Sequence, residues 1–261
     1  MTDAPKPKSD LGPRAIVGAI LIALAAVALW SGGFLFWLVL VIAALLMLSE
    51  WSDLAKMPAK DKRLAQFTLS VPLAIMCPLA SGASFFALGL LAGSAFFVVI
   101  VTRKPRLAAG LIYVGLPVLA LLAIRAQDRG LLLAFWTMAL VWACDIGAYA
   151  AGRSFGGPKL APAISPNKTW SGLIGGMAAA TLFAALLTHW GLSPYMVAIT
   201  PLLAIAAQIG DLYESWLKRR AGVKDSGTML PGHGGFLDRL DGLVPVAPLA
   251  ALVILSHQVL A

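Results

Sequence analysis

Long apolar stretches constrain this chain more strongly than any other feature of its sequence. A helix needs about 20 residues to cross the ~30 Å hydrocarbon core of a bilayer. Nine stretches approach that length, and they cover residues 14–31, 33–49, 66–81, 84–101, 107–124, 130–151, 171–190, 194–213 and 243–260. They lack the alternating pattern of a membrane β-barrel, which favours helices. With 60% hydrophobic and 12% charged residues, the chain could not cover a water-exposed surface.

We therefore predict an all-α, polytopic membrane protein with about nine transmembrane helices. It forms a single integral domain over residues 1–261, in which residues of about 14–124 supply the N-terminal helices. If the N-terminus is cytoplasmic and all nine helices cross, 18 of the 20 Lys and Arg residues fall on the cytoplasmic side. Only Arg125 and Arg129 fall on the other side, as the positive-inside rule requires.

This distribution predicts a cytoplasmic N-terminus and an external C-terminus. We expect the protein to lie in the inner membrane of the cell, with its active site facing the cytoplasm. The net charge of +8 is then mainly a signal of orientation. It needs no nucleic-acid partner, and the lipid bilayer is the partner that it predicts.

Carboxylates inside or beside the apolar stretches are candidates for function, because a charged group in a membrane is costly. Asp145 lies within the sixth stretch, and Asp211 lies at the inner end of the eighth. Helical spacing places Asp211, Ser215 and Lys218 on one face, together with Glu214. Ion pairs and snorkelling at the membrane surface are an alternative explanation of that face.

The densest polar segment of the chain, residues 215–241, begins on this face. Its glycines Gly234 and Gly235 follow His233 and allow the backbone to approach a ligand closely. Its charged residues include Lys218, Arg219, Lys224, Asp225, Asp238, Arg239 and Asp241. Mg²⁺ binds carboxylate oxygens together with substrate phosphates, and Lys and Arg bind phosphate oxygens. The segment therefore predicts metal-assisted chemistry on phosphates at the cytoplasmic membrane surface.

The same segment closely resembles the signature of the phosphatidate cytidylyltransferases, also called CDP-diacylglycerol synthases. That signature reads Ser, two residues, Lys-Arg, four residues, Lys-Asp, a Pro/Gly turn, His-Gly-Gly and Asp-Arg-x-Asp. The positions that match it are Ser215, Lys218, Arg219, Lys224, Asp225, Pro231, His233, Gly234, Gly235, Asp238, Arg239 and Asp241. Asp145, Gly152-Arg153 and residues 165–172 are similar too, so the resemblance covers a catalytic region of about residues 140–245. Asn167 stands where the family often has Lys.

The resemblance implies a reaction of CTP with phosphatidic acid that gives CDP-diacylglycerol and pyrophosphate, in a protein that forms a homodimer. It implies metal ligands at Asp211, Asp238 and Asp145, with Mg²⁺ as cofactor and a second cation such as K⁺. The catalytic residues that it implies are Asp211, Asp238, Lys224, Asp225, His233 and Asp241. Those implied to bind substrate are Ser165, Lys168, Ser215, Lys218, Arg219, Gly234, Gly235 and Arg239.

Three other functions are alternatives. A transporter could use Asp145 and Asp211 in an ion pathway, but it leaves the glycine-rich turn unexplained. An alcohol phosphatidyltransferase would also use membrane aspartates and a divalent metal, but its Asp-Gly-x-x-Ala-Arg run is absent. A membrane scaffold without catalysis is the third.

Overall fold

The computed structural model describes residues 11–230 and 234–260, and most of them are helical. The helices are α1 Leu11–Ser31, α2 Gly33–Leu54, α3 Ala59–Ile75, α4 Phe85–Thr102, α5 Pro105–Arg125, α6 Gly130–Phe155, α7 Trp170–Leu187, α8 Pro194–Ala221, α9 Leu237–Leu240 and α10 Leu243–Leu260. Two short strands, β1 Lys159–Ala161 and β2 Ser165–Thr169, join α6 to α7. The predicted all-α membrane class is confirmed, although this small hairpin was not predicted.

Six helices within the described ranges are long and apolar enough to cross a membrane, namely α2, α4, α5, α6, α7 and α8. The apolar parts of α1 and α10 are shorter. The third helix differs most from its prediction, because it begins at Ala59 and takes the charged residues 60–63 into its first turns. The protein is thus a multi-pass membrane protein, and the crossing of all nine helices stays a prediction.

Arg125 and Arg129, the two bases predicted on the external side, lie at one end of the helices. Arg125 donates hydrogen bonds to Leu29 O at 3.0 Å and Trp30 O at 3.3 Å. These carbonyls belong to the last turn of α1, where a cation is favourable. Arg129 donates to Gly191 O, between α7 and α8, at 2.6 Å. The opposite end of the helices carries the β-hairpin and the polar segment.

The β-hairpin is placed by close packing of α6 on α7. A side chain at Gly147 would overlap the backbone of Gly175, so only glycine allows this approach of the two helices. The hydroxyl of Thr169, at the end of β2, accepts a hydrogen bond from Gly172 N at 3.1 Å and so caps α7. This packing fixes Lys168, next to the cap, against the polar faces of α6 and α8.

Among the six long apolar helices, α5 is the most buried, with 72% of its apolar segment inside the protein. Because lipid tails are as apolar as leucine, such helices associate through close packing and interhelical hydrogen bonds. One such bond joins the fully buried Trp136 on α6 to Thr200 on α8, with Nε1 donating to Oγ1 at 3.1 Å. Another runs from Trp51 Nε1 on α2 to Arg106 O on α5 at 2.9 Å. Both bonds join helices that contribute to the candidate site or lie beside it.

Candidate active site

One half of the site is an ion pair between the hairpin and α8. Lys168 Nζ lies 2.7 Å from Asp211 Oδ2 and also donates to Gln208 Oε1 at 2.9 Å. Ser215 Oγ donates to the other Asp211 oxygen at 3.3 Å. Asp145 on α6 is close enough to interact electrostatically with both Lys168 and Asp211. The structure thus brings together four residues that the sequence singled out.

The other half is a buried triad centred on Lys218. Its ammonium lies 2.8 Å from Glu214 Oε2 and 2.6 Å from Asp238 Oδ1. The three side chains are 12%, 0% and 7% exposed, in the order Lys218, Glu214, Asp238. Such burial is costly for charges unless each is paired, so the triad depends on the single ammonium that its two carboxylates share.

The second oxygen of Asp238 accepts three further hydrogen bonds. Ser226 donates through its backbone N at 2.9 Å and its hydroxyl at 2.9 Å, and Gly235 N donates at 2.8 Å. Burial alone would raise the pKa of Asp238, but the Lys218 ammonium and these N–H groups outweigh it and hold that pKa below its ordinary value. Asp238 is therefore ionised at neutral pH and fixed in one orientation.

Asp241 lies between the two halves. It interacts electrostatically with Asp211 and Asp145 on one side and with Lys218 on the other. Burial raises its pKa to about 7, and the charge of Asp211 adds to the rise, while a hydrogen bond from Gly242 N opposes it. Asp145, Asp211 and Asp241 thus interact electrostatically with one another, and their combined negative charge favours a cation nearby.

The predicted glycines have a role inside the protein itself. A Cβ at Gly235 would overlap the Ser226 hydroxyl and the carboxylate of Glu50. Gly234 has a φ of +80°, and a Cβ there would lie 2.6 Å from Asp238 Oδ2. Both positions therefore require glycine for the turn to close around its own carboxylates, whatever ligand also approaches them.

The other predicted residues surround this centre. Ser165 pairs with Ala161 in the hairpin, and Arg219 Nη1 donates to Val223 O at 3.2 Å. Three exposed residues, Lys224, Asp225 and Arg239, lie in the loop after α8 and on α9. His233, with Pro231 and Gly232, lies outside the described residues. The structure therefore gathers Asp145, Lys168, Asp211, Ser215, Lys218, Asp238 and Asp241 into the centre, with the others around it.

Sequence reasoning missed Glu50, at the end of α2. It is 3% exposed, and its carboxylate accepts hydrogen bonds from Phe236 N at 3.0 Å and Leu237 N at 2.8 Å. The Ser226 hydroxyl lies 3.1 Å from the same carboxylate and shares its single proton between Glu50 and Asp238. The signal was present, because Glu50 directly follows the second apolar stretch. The cost of a carboxylate near the membrane interior, which singled out Asp145 and Asp211, applies equally to Glu50.

The donor chemistry of the centre fits Mg²⁺, which prefers carboxylate oxygens. Within residues 11–230 and 234–260, however, no three Asp, Glu, His or Cys side chains are close enough together to hold a metal ion. The two carboxylates predicted as main ligands, Asp211 and Asp238, are each paired with a lysine ammonium. The metal ligands therefore stay a prediction, and binding would require these pairs to open.

An apolar groove of about 1040 Å³ lies between α1, α6 and α7. Its lining includes Ala26, Phe135, Trp142 and Leu186. Along α6 it extends from Arg129 to Trp142, which is about 20 Å at 1.5 Å per residue. The groove begins at the helix end that carries Arg129 and ends one helical turn from Asp145, so an apolar surface runs along α6 towards the charged centre.

The fold and the site together define a multi-pass helical membrane protein with a carboxylate–lysine centre suited to phosphate chemistry. Residues 13–257 match the cytidylyltransferase family, and the chain belongs to this family of nucleotidyltransferases. It is 42% identical over 255 residues to a protein of Brucella suis named phosphatidate cytidylyltransferase, covering 94% of this chain and 93% of the relative. A relative with the same name in Rickettsia felis is 35% identical, covering 73% of this chain and 92% of the relative. Another in Rickettsia bellii is 31% identical, covering 94% of this chain and 90% of the relative.

Proposed function

We propose that this protein transfers the cytidylyl group of CTP to phosphatidate, giving CDP-diacylglycerol and pyrophosphate. The observation that carries the proposal is the pairing of two predicted site carboxylates with lysines, Asp211 with Lys168 and Asp238 with Lys218. Lysines in this arrangement can transfer their hydrogen bonds to phosphate oxygens. Full-length similarity to proteins named phosphatidate cytidylyltransferase supports the choice of substrates.

In the proposed reaction, a phosphate oxygen of phosphatidate attacks the α-phosphorus of CTP. A new P–O bond forms, the bond between the α-phosphorus and the bridging oxygen breaks, and pyrophosphate leaves with the bond electrons. Lys168 and Lys218 hold the phosphates in line and neutralise their charge, which is most of what such a reaction requires of the protein.

We assign Mg²⁺ to Asp211 and Asp238, supported by Asp145 and Asp241, with a second cation such as K⁺ beside it. When bound, the cations supply positive charge to phosphates that become more negative during transfer. Arg219, Lys224 and Arg239 lie around the centre and are assigned to the outer phosphates. Release of Lys168 and Lys218 from the carboxylates is the change that this assignment requires of the chain.

We assign the acyl chains of phosphatidate to the groove between α1, α6 and α7. One leaflet of a ~30 Å hydrocarbon core is about 15 Å deep, so a groove of about 20 Å along α6 accommodates a chain whose phosphate is near Asp145. The lipid would enter sideways from the bilayer, while CTP reaches the same centre from the aqueous side. Two substrates of opposite solubility then meet at one helix end.

We propose that the protein lies in the inner membrane of the cell and that all nine helices cross it. The proposed site then faces the cytoplasm. To test the orientation, cysteine is introduced at Lys224 or at Asp128, both exposed, since the native Cys77 and Cys144 are buried. A membrane-impermeant maleimide added to spheroplasts should label position 128 and leave 224 unlabelled until lysis. The reverse pattern would overturn the orientation.

We also propose that the protein forms a homodimer, which cross-linking in membranes tests.

The activity test uses purified protein in detergent with labelled CTP, phosphatidate and Mg²⁺. We expect a labelled CDP-lipid and release of pyrophosphate in equal amounts. No CDP-lipid above background, under conditions where a relative with established activity produces it, would overturn the proposed function.

A further inference from the structure

Glu50 belongs to α2, far in sequence from the signature segment. Among the described residues, however, all hydrogen-bond partners of its carboxylate lie in that segment. Oε1 accepts from Phe236 N at 3.0 Å. Oε2 accepts from Leu237 N at 2.8 Å and lies 3.1 Å from Ser226 Oγ, whose single proton it shares with Asp238. One buried carboxylate therefore contacts both ends of the segment that leads from α8 to α9.

The geometry requires a carboxylate at this position. Phe236 and Leu237 open the short helix α9, so their N–H groups have no acceptor within the helix. Two donors approach different oxygens of Glu50, and only a group with acceptors at both ends can satisfy them. Gly227 and Gly235 leave no room for other side chains, since a Cβ on either would overlap the Glu50 carboxylate.

Ser226 connects Glu50 to Asp238. Its hydroxyl oxygen lies 3.1 Å from Glu50 Oε2 and 2.9 Å from Asp238 Oδ2, and its backbone N donates to the same Asp238 oxygen. Gly235 N also donates to Asp238, while the next two N–H groups along the chain donate to Glu50. The segment is therefore held between two carboxylates, and its position determines where Asp238 lies.

We propose that Glu50 is a positioning residue: through Ser226 and residues 234–237 it fixes Asp238 for cytidylyl transfer, without contacting either substrate. The proposal rests on the proposed function for the identity of the reaction. It gives the N-terminal helices a part in catalysis, although the signature lies wholly in the C-terminal half. It also explains a buried acid in α2 that lipid packing would disfavour.

The test compares Glu50→Gln with Asp53→Asn. Both changes replace an acid by its amide on α2, but Asp53 forms only the exposed ion pair with Lys62 among the contacts described for it. In Glu50→Gln an NH₂ group faces a backbone N–H, which loses its acceptor. We expect kcat to fall about 10- to 100-fold, because small displacements of a reacting group have such effects, with KM for CTP changed by less than about twofold. Asp53→Asn should match the wild type.

A second readout does not depend on activity. Without substrates, hydrogen exchange at Gly235, Phe236 and Leu237 should be about tenfold faster in Glu50→Gln, while exchange in α5 stays unchanged. Ser226→Ala keeps both backbone bonds to Glu50, so it tests the connection even if Glu50→Gln folds poorly. It should lower kcat by itself, and Glu50→Gln should cost less in its background than in the wild type.

Three results would overturn the proposal: unchanged kcat in Glu50→Gln, fully additive effects of the two changes, or faster exchange spread evenly over the protein. If wild type and Asp53→Asn both lack activity, the proposed function fails. Local exchange in Glu50→Gln then still decides whether Glu50 fixes the turn.

Discussion

Replacing Lys218 by Met should destabilise the protein strongly, because its ammonium is shared by two buried carboxylates. Glu214 is fully buried, and its other oxygen has no hydrogen-bond partner among the described residues. Asp238 keeps its bonds from Ser226 and Gly235, so Glu214 is the group that loses most. Breaking a buried pair on one side costs about 3–5 kcal/mol, which corresponds to a fall of roughly 6–20 °C in the unfolding midpoint of a chain this size.

The assay is thermal unfolding of purified protein in one detergent, followed by tryptophan fluorescence. Lys62→Met is the matched control, since it breaks the exposed pair with Asp53 and should cost about 0–1 kcal/mol. Adding Glu214→Gln to Lys218→Met removes the carboxyl group that has lost its ammonium partner and should restore part of the midpoint, while turnover stays low. The prediction would be refuted if Lys218→Met and Lys62→Met unfold at the same temperature, or if adding Glu214→Gln to Lys218→Met lowers the midpoint further.

Three further predictions use other parts of the site. Ala26→Phe, in the groove, should raise the KM for long-chain phosphatidate and leave the KM for short-chain phosphatidate unchanged. Ala23→Phe, exposed on the same helix outside the groove, should change neither KM. Equal KM values in the two variants would contradict the groove assignment. Asp241 has a pKa raised to about 7, so its contribution to stability should be full near pH 4 and be lost as the pH rises through 7. The unfolding midpoint should therefore fall between pH 5 and pH 8, and Asp241→Asn should remove this dependence on pH. Asp211→Asn should lower turnover about 100-fold or more in a protein that elutes as wild type on size exclusion, and near-normal turnover would exclude a metal role.

The sequence predicted the features that depend on local pattern. Apolar length placed the helices, and spacing placed Asp211, Ser215 and Lys218 on one face of α8, as observed. Contacts between distant segments were not predictable in this way. Glu50 meets Ser226 across 176 positions, and no periodicity in either segment encodes that pairing. The hairpin was missed because strands of three and five residues are too short for a pattern to appear.

The pairing of Lys168 with Asp211 and of Lys218 with Asp238 also clarifies how so many charges persist at a membrane surface. A lone carboxylate or ammonium there would be costly, but each pair is compensated before any substrate arrives. In the proposed reaction, a triphosphate would bring negative charge to the lysines and a divalent cation would bring positive charge to the carboxylates. Only with both present could the pairs open without leaving a charge uncompensated. We therefore expect binding of nucleotide and of cation at this centre to be coupled by charge balance through the four side chains of these two pairs.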